Sequence, residues 1–303
     1  MGFSEFIQKS RRRYERRGAT ELPVITKDFV ASSASRIPPL RDWGVRIYEG
    51  GWDVLVILDA CRADMYRRIV NEKAGSVWSC ASQSDEWIEK NFNLHYEGET
   101  LNTAYITGNV FSKDLSEDDF ALLDEVWRYG WDEELGTVPP RPITDRAIRV
   151  NRSQSFERVI IHYMQPHIPF IGGDEPIGSM DLDYFGAERE AKDGNLWEEA
   201  MLGKWDKAVL WEAYDENLRY VWEDVQLLLN NISGKAVITA DHGNALGEWG
   251  MWGHRRGIPI RAMREVPWDT YQCTDSEDYE PSTYDRRSDE DSVDERLRAL
   301  GYV

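Results

Sequence analysis

Two short apolar runs that end at acidic residues constrain the fold more than any other feature of this 303-residue sequence. Residues 53–58 run into Asp59, and residues 235–240 run into Asp241 and His242. Apolar runs of this length are typical of buried strands in a parallel sheet. The carboxyl ends of parallel strands share one edge, and ligands bind there. Because Asp and His are common metal ligands, the two runs predict neighbouring strands that hold a metal together.

The rest of the pattern alternates strands with helices. Two more strands are predicted at 104–107 and 158–163. Helices are predicted at 62–70, from Trp87 onward, and at 114–128, 143–152 and 204–231. The alternation predicts a three-layer α/β/α fold with a mostly parallel central sheet. All four strands end at residues whose side chains can take part in catalysis or ligand binding, which indicates an enzyme.

Composition divides the chain into three parts. Residues 1–45 are expected to be a basic N-terminal arm and linker, and 46–268 a catalytic domain. Residues 269–303 are expected to be an acidic tail whose last short helix, at 293–300, packs on the same domain. Residues 171–200 are rich in Gly, Asp and Glu, and are expected to pass irregularly over the active face.

The charge balance excludes one class of partner. The 55 acidic and 36 basic residues give a net charge of −19, which repels nucleic acid. Such a surface resembles that of halophilic proteins, and an acidic mesophilic protein is the alternative. Within this acidic chain, residues 1–20 carry six basic side chains beside a small apolar face. They suggest peripheral contact with a membrane surface or a partner, and a solvated terminal arm is the alternative.

The cysteines and the hydropathy indicate the compartment. Cys61, Cys80 and Cys273 are odd in number and lack metal-type spacing. They are therefore interpreted as free thiols in a reducing compartment. No segment approaches 18 consecutive apolar residues, so no transmembrane helix is expected. We expect a cytoplasmic protein with the option of membrane association.

The five histidines fall into two groups. His242 follows an aspartate at a strand end, which favours a metal ligand. His167, within a Gln-Pro-His-Ile-Pro run, and His254, within Trp-Gly-His, are interpreted as functional. His95 and His162 are interpreted as structural, because a lone histidine more often satisfies a local hydrogen bond.

Several motifs resemble the alkaline phosphatase superfamily, and its sulfatase-like branch most closely. They are Asp59-Ala60-Cys61-Arg62-Ala63-Asp64, Pro166-His167-Ile168-Pro169, Tyr214-Asp215, Thr239-Ala240-Asp241-His242-Gly243, Leu246-Gly247-Glu248 and the ending from Arg296 to Val303. The resemblance covers residues 50–303 in order. It implies an alkaline phosphatase-like fold that binds one or two divalent cations, of zinc, manganese, magnesium or calcium.

The resemblance also implies roles for residues. Asp59, Asp241 and His242 would form one metal site. His167 and His254 would complete a second site or contact the substrate anion, and we assign His254 to metal and His167 to catalysis. A bound cation would polarise the ester oxygen and lower the pKa of the nucleophile.

The nucleophile is expected in the polar run at 79–86. Sulfatases of this superfamily use Cys or Ser within Cys/Ser-x-Pro-x-Arg, and no such motif occurs in the sequence. The phosphatases and phosphotransferases use an unmodified Ser or Thr. Ser84 is the first candidate and Ser82 the second, while both are also suited to cap a helix.

Two kinds of side chain are candidates for binding the substrate. Asn109 can donate to a non-bridging oxygen, although Gly-Asn is equally a turn signal. Arg255 and Arg256 can bind a phosphate or sulfate bidentately, or lie at the surface.

The sequence predicts a metal-dependent hydrolase of phosphate esters with a serine nucleophile. One alternative on the same fold is a sulfatase, or a transferase that moves a phosphoryl-linked headgroup onto glycans or lipids. The alternative of another class is a non-catalytic binding or scaffold protein that retains the fold.

Overall fold

The computed structural model describes residues 43–93, 97–178 and 196–284, together with residues 11, 14, 15 and 18. The N-terminal arm as a whole, His95 and the final helix at 293–300 lie outside these residues. Part of the segment at 171–200 also lies outside them. The expectations for these segments stay predictions.

Seven strands form the central sheet, and four of them match the predicted apolar runs. In chain order the strands are β1 (Val54–Leu58), β2 (Gly75–Trp78), β3 (Thr103–Thr107), β4 (Leu122–Glu125), β5 (Arg158–Tyr163), β6 (Gly234–Thr239) and β9 (Glu265–Cys273). Two further strands, β7 (Ala245–Leu246) and β8 (Trp252–Gly253), form a separate hairpin.

The sheet order is β2-β9-β6-β1-β5-β3-β4. From β6 to β4 the neighbouring strands are parallel, and β9 is antiparallel to both β6 and β2. The mostly parallel sheet predicted from the sequence is therefore confirmed. Strands β1 and β6 are direct neighbours, with Ile57 opposite Thr239. This pairing brings the two acidic strand ends together.

Helices cover both faces of the sheet. They are α1 (Ala63–Ile69), α2 (Ser84–Ile88), α3 (Glu97–Thr100), α4 (Pro140–Arg152), α5 (Leu196–Met201), α6 (Lys207–Asn230) and α7 (Arg261–Arg264). Side chains of α4 and α6 pack with one another and with Val54, Val56 and Leu58 in one core. Leu55 and Ile57 point to the opposite face, where they pack with α2 residues in a second core. Alternate β1 residues thus belong to different layers, which confirms the three-layer α/β/α architecture.

The helix predicted at 114–128 is wrong. This segment contains two short 3₁₀ turns, Glu117–Asp119 and Val126–Arg128, with β4 between them. Strand β4 pairs in parallel with β3, with Leu123 opposite Tyr105. Hydrogen bonds to a neighbouring strand, which local sequence does not encode, outweigh the helical pattern here.

Two element boundaries also differ from expectation. Pro140 and Pro142 lie in the first turn of α4 and do not precede the helix, because the first helical N–H groups need no intrahelical partner. The boundary proposed between residues 268 and 269 falls inside β9, whose residues 269–273 pair with β6. All three cysteines are buried free thiols, as predicted. Among the described helices, none has the length and apolar character needed to cross a bilayer.

Candidate metal centre and nucleophile

Two buried carboxylates lie side by side at the ends of β1 and β6. Asp241 accepts hydrogen bonds at Oδ1 from the backbone N–H of Ala60 at 3.0 Å and of His242 at 2.8 Å. Asp59 accepts at Oδ2 from Asn109 Nδ2 at 2.8 Å. The other oxygens, Asp59 Oδ1 and Asp241 Oδ2, are buried without a hydrogen-bond partner in the described part of the chain. Unpartnered buried carboxylate oxygens are costly unless a cation satisfies them.

The electrostatics of the pair indicate the same need for positive charge. Burial, and then the charge of Asp241, raise the pKa of Asp59 well above its usual value. Burial also opposes ionisation of Asp241, but His242, His162 and the Ala60 N–H together lower its pKa. Two carboxylates this close do not both ionise readily without a compensating charge. A divalent cation would supply that charge.

His162 and His242 complete a nitrogen–oxygen donor set around the carboxylates. His242 Nε2 lies 3.4 Å from Asp241 Oδ2 and 3.7 Å from Asp59 Oδ1. His162 Nε2 lies 3.8 Å from Asp59 Oδ2 and 3.9 Å from Asp241 Oδ2. Ligands about 2.1 Å from one metal lie about 3.4 Å apart in tetrahedral geometry, so these separations fit a shared cation.

The protonation of His162 is compatible with this role. Burial lowers the pKa of His162 to about 4, so the ring is neutral near pH 7. Its Nδ1 is 2.8 Å from the hydroxyl of buried Tyr105, and its Nε2 has no partner among the described residues. Asp59, His162 and Asp241 together form a group that could hold a metal ion. The interpretation of His162 as structural missed this contact, because a single histidine in a strand has no periodic signal.

Ser84 lies beside the same carboxylates as the first residue of α2. Its Oγ is 3.4 Å from Asp59 Oδ2 and 3.2 Å from His242 Nε2. The preceding residue, Gln83, makes no side-chain cap bond to the helix. Ser84 is the first helical residue rather than the N-cap, and its hydroxyl is directed at Asp59 and His242. Positions two and four residues after Ser84 are Glu86 and Ile88, so the sulfatase-type Pro and Arg are absent around it.

Ser82 and Arg256 lie in a different environment. Ser82 Oγ is 2.7 Å from the carbonyl of Arg255 and accepts from the N–H of Ile258 at 2.9 Å. Ser82 thus joins the segment before α2 to the loop after β8, away from the carboxylate contacts of Ser84. Arg256 pairs at the surface with Asp85 at 2.8 Å and with Glu89.

His167 and His254 extend the row of imidazoles. The ring centroids of His242 and His254 are 4.3 Å apart, and those of His254 and His167 are 5.1 Å apart. Burial lowers the pKa of His167 to about 4 and that of His254 well below its usual value. Both rings are therefore neutral, and a neutral ring nitrogen without a proton is a cation ligand rather than an anion ligand.

The loops that carry these residues are held by buried polar contacts. Arg62, at the start of α1, donates to Glu248 at 2.7 Å and to the carbonyl of Asn244 at 3.0 Å. Asn217 of α6 donates to the carbonyl of His167 at 3.0 Å. Ala60 has a φ of 63°, a strained value for a residue with a side chain, and its carbonyl accepts from Tyr214. Strain of this kind is characteristic of functional sites.

Comparisons with known proteins concern the fold. No protein-family profile matches the sequence, and no curated protein matches it. The soluble domain of a lipooligosaccharide phosphoethanolamine transferase from Neisseria meningitidis is 15% identical, covers 77% of this chain and 81% of its own, and superimposes with a TM-score of 0.48. A 2-O glycosaminoglycan sulfatase, BT1596, is 12% identical, with 72% of this chain and 63% of that chain covered and a TM-score of 0.47.

A protein of the alkaline phosphatase superfamily from Vibrio parahaemolyticus is 12% identical, with 82% of this chain and 68% of that chain covered and a TM-score of 0.40. The solved folds that this chain resembles are thus those of phosphoethanolamine transferases, sulfatases and an alkaline phosphatase superfamily protein. At these identities and TM-scores the chemistry has to be inferred from the side chains of this chain.

Proposed function

We propose that this protein is a metal-dependent hydrolase of phosphate esters with Ser84 as its nucleophile. The observation that carries the proposal is the position of Ser84 Oγ within 3.4 Å of Asp59 Oδ2 and 3.2 Å of His242 Nε2. A buried serine hydroxyl between a carboxylate and an imidazole nitrogen is the arrangement that an activated nucleophile requires.

Four residues would hold the cation: Asp59, Asp241, His242 and His162. Their buried oxygen and nitrogen donors suit zinc or manganese better than the all-oxygen sites preferred by magnesium and calcium. When bound, the cation would lower the pKa of the Ser84 hydroxyl and stabilise charge on the ester oxygens. The chemistry of the donor set, rather than any structural relative, supports this assignment.

The proposed reaction has two balanced steps. Ser84 Oγ attacks phosphorus, the phosphorus–oxygen bond to the alcohol breaks, and the alcohol leaves with a proton. Water then attacks the phosphoseryl group, which returns the serine hydroxyl and releases phosphate. Asn109 holds Asp59 Oδ2 in place through both steps, and its second amide hydrogen is available to a non-bridging oxygen. His167, near His254, is proposed to line the ester site.

The alternatives are less well supported. A sulfatase with a formylglycine nucleophile would need Pro and Arg after Ser84, where Glu86 and Ile88 stand. A scaffold protein would have no reason to retain two buried carboxylates with unpartnered oxygens, which destabilise the fold. A headgroup transferase would share the first step and differ only in the acceptor that attacks phosphoserine.

We predict that Ser84→Ala reduces turnover of an aryl phosphate by about three orders of magnitude or more, because the nucleophile is lost. The measurement is steady-state hydrolysis with Mn²⁺ or Zn²⁺ in high salt. Ser82→Ala is the matched control and should keep turnover within about tenfold, since its hydroxyl contacts backbone groups and Glu86 rather than Asp59 or His242.

Two outcomes would overturn the proposal. One is a Ser84→Ala protein that hydrolyses the ester as fast as wild type. The other is a wild type that turns over neither phosphate monoesters nor phosphodiesters with any divalent cation. Adding an alcohol acceptor to the assay separates transfer from hydrolysis, because a transferase would yield mainly the phosphorylated acceptor and a hydrolase mainly inorganic phosphate.

A further inference from the structure

Asn244 lies next to the proposed site, and neither the sequence motifs nor the proposed mechanism gives its side chain a role. It is fully buried, two residues after His242. Its Oδ1 is 2.7 Å from Nδ1 of His254. Its Nδ2 has no hydrogen-bond partner within the described ranges. A buried amide that is only half satisfied destabilises the fold and so calls for an explanation in function.

The neighbouring rings show what the contact can achieve. Nδ1 of His242 is 3.1 Å from the carbonyl of Gly243, and Nδ1 of His167 is 2.6 Å from the carbonyl of Ile168. A backbone carbonyl only accepts hydrogen bonds, so both rings carry their proton on Nδ1. Their Nε2 atoms are then unprotonated and able to bind a cation.

His254 differs because its Nδ1 meets a side-chain amide, which can accept or donate. With the Asn244 oxygen towards the ring, Nδ1 carries the proton and Nε2 is a metal ligand. With the amide turned over, Nε2 would carry the proton and would instead donate to an anion. The backbone of Asn244 is fixed by Arg62, whose Nη1 donates to its carbonyl at 3.0 Å. One side chain therefore determines which kind of ligand His254 binds.

We propose that Asn244 is a positioning residue that holds His254 with Nδ1 protonated, so that its unprotonated Nε2, on the ring next to His242, is left available as a further ligand for a divalent cation at the proposed site. The inference rests on the proposed metal-dependent function and deepens it. Outer hydrogen bonds of this type fix the tautomer and orientation of metal-binding histidines, and their loss weakens metal affinity by about 10- to 100-fold.

The test compares two variants at the same position. Asn244→Asp keeps an acceptor for the Nδ1 proton and should retain cation binding. Asn244→Leu has similar volume and no acceptor, so the Mn²⁺ or Zn²⁺ affinity that depends on His254 should fall by about 10- to 100-fold, as it does in His254→Ala. Cation binding is measured by competition with a chelator, and thermal unfolding verifies that both variants fold.

A second readout does not require a bound cation. In ¹⁵N-histidine NMR spectra of cation-free protein, His254 should show a protonated Nδ1 in wild type and in Asn244→Asp, and a mixture of tautomers in Asn244→Leu. His167 is the internal control, because its Nδ1 faces a backbone carbonyl in every variant.

The outcomes separate this inference from the proposed function. If wild type binds cations and hydrolyses esters while Asn244→Leu matches it in affinity and tautomer, the role of Asn244 is wrong. A His254 protonated at Nε2 in wild type would also overturn it and would make His254 an anion donor. If wild type binds no divalent cation, the proposed function fails, and the NMR arm still decides which tautomer Asn244 selects.

Discussion

Gly243 is a residue whose identity follows from a close backbone approach. A Cβ at this position would lie 2.4 Å from the carbonyl oxygen of Ala262 and 3.1 Å from Cγ of Arg62. Its own N–H donates to the carbonyl of Met263 at 2.8 Å. The glycine of the Asp-His-Gly motif therefore allows the loop after β6 to pack against α7 while it presents His242.

We predict that Gly243→Ala destabilises the fold by about 2 kcal/mol, because the new methyl group meets rigid backbone. It should also reduce turnover, since His242 is the preceding residue. Chemical denaturation and the aryl phosphate assay measure both effects. Gly98→Ala is the matched control: its Cβ would meet nothing within 4 Å, and alanine is the better helix former. Equal losses in the two variants would contradict the steric explanation.

His162 illustrates the limit of prediction at single residues. Its position inside β5 made it resemble any core histidine, and only the packing of β5 beside β1 brings its Nε2 to the carboxylates. The placement of Asp59 and Asp241 at one edge of the sheet was predictable, because each follows a continuous apolar strand. The polar run that holds Ser84 was visible in the sequence, while the direction of its hydroxyl was not, and its role as nucleophile stays a prediction.

At the scale of elements, α2 is held by a buried ion pair rather than by a capping residue. Glu86 is buried and pairs with Lys90 at 2.7 Å, one turn along the chain. It also accepts from the N–H of Ser82 at 3.0 Å and of Gly257 at 3.0 Å. Glu86 thus joins the start of α2, which carries Ser84, to the loop that follows His254.

We predict that Glu86→Gln lowers the free energy of unfolding by about 3 kcal/mol at pH 7, because the buried Lys90 loses the charge of the Glu86 carboxylate. Burial raises the pKa of Glu86, but Lys90 and the two backbone donors outweigh burial and lower it below the usual value. The stabilisation is therefore complete above about pH 4.5 and is lost as the pH falls through the folded-state pKa.

The difference between wild type and Glu86→Gln should accordingly shrink in acid, which urea titrations at pH 7 and pH 4 would measure. Glu89→Gln is the matched control on the following turn, where Glu89 pairs with Arg256 at the surface. An exposed pair contributes less than about 1 kcal/mol. A difference that stays constant with pH would contradict the ion-pair explanation.

Elements differed in how well the sequence predicted them. The four apolar strands were found because burial on both faces leaves a continuous apolar run. Strands β2, β4 and β9 lack that signal, since their pairing includes charged residues such as Glu125 and Asp269. The helix expected at 114–128 failed for the same reason, because β3 supplies a partner that the local pattern does not reveal.

At the scale of the whole molecule, the charge of −19 is the dominant electrostatic feature. Like charges spread over one compact surface repel each other and destabilise the folded state. Salt shortens the range of that repulsion, to about 3 Å at 1 M. The composition is therefore suited to a solvent of high ionic strength.

We predict that raising KCl from about 0.2 M to about 2 M increases the thermal unfolding midpoint by about 5 °C, as relief of self-repulsion exceeds the weakening of surface ion pairs. Differential scanning calorimetry measures the shift. A neutral osmolyte at the same water activity is the control and should have a smaller effect. A midpoint that is constant or falls with KCl would favour the acidic mesophilic alternative.

The arrangement of the site along the chain has a consequence for folding. The Ala60–Asp241 hydrogen bond joins residues 181 positions apart, and Ser84 and His242 are separated by 158 positions. Closing such long loops is slow and requires most of the sheet to be assembled first. Partly folded chains would therefore have little affinity for the cation. Binding of the proposed cation would therefore indicate that folding is complete. Free cation would also favour the native state by mass action.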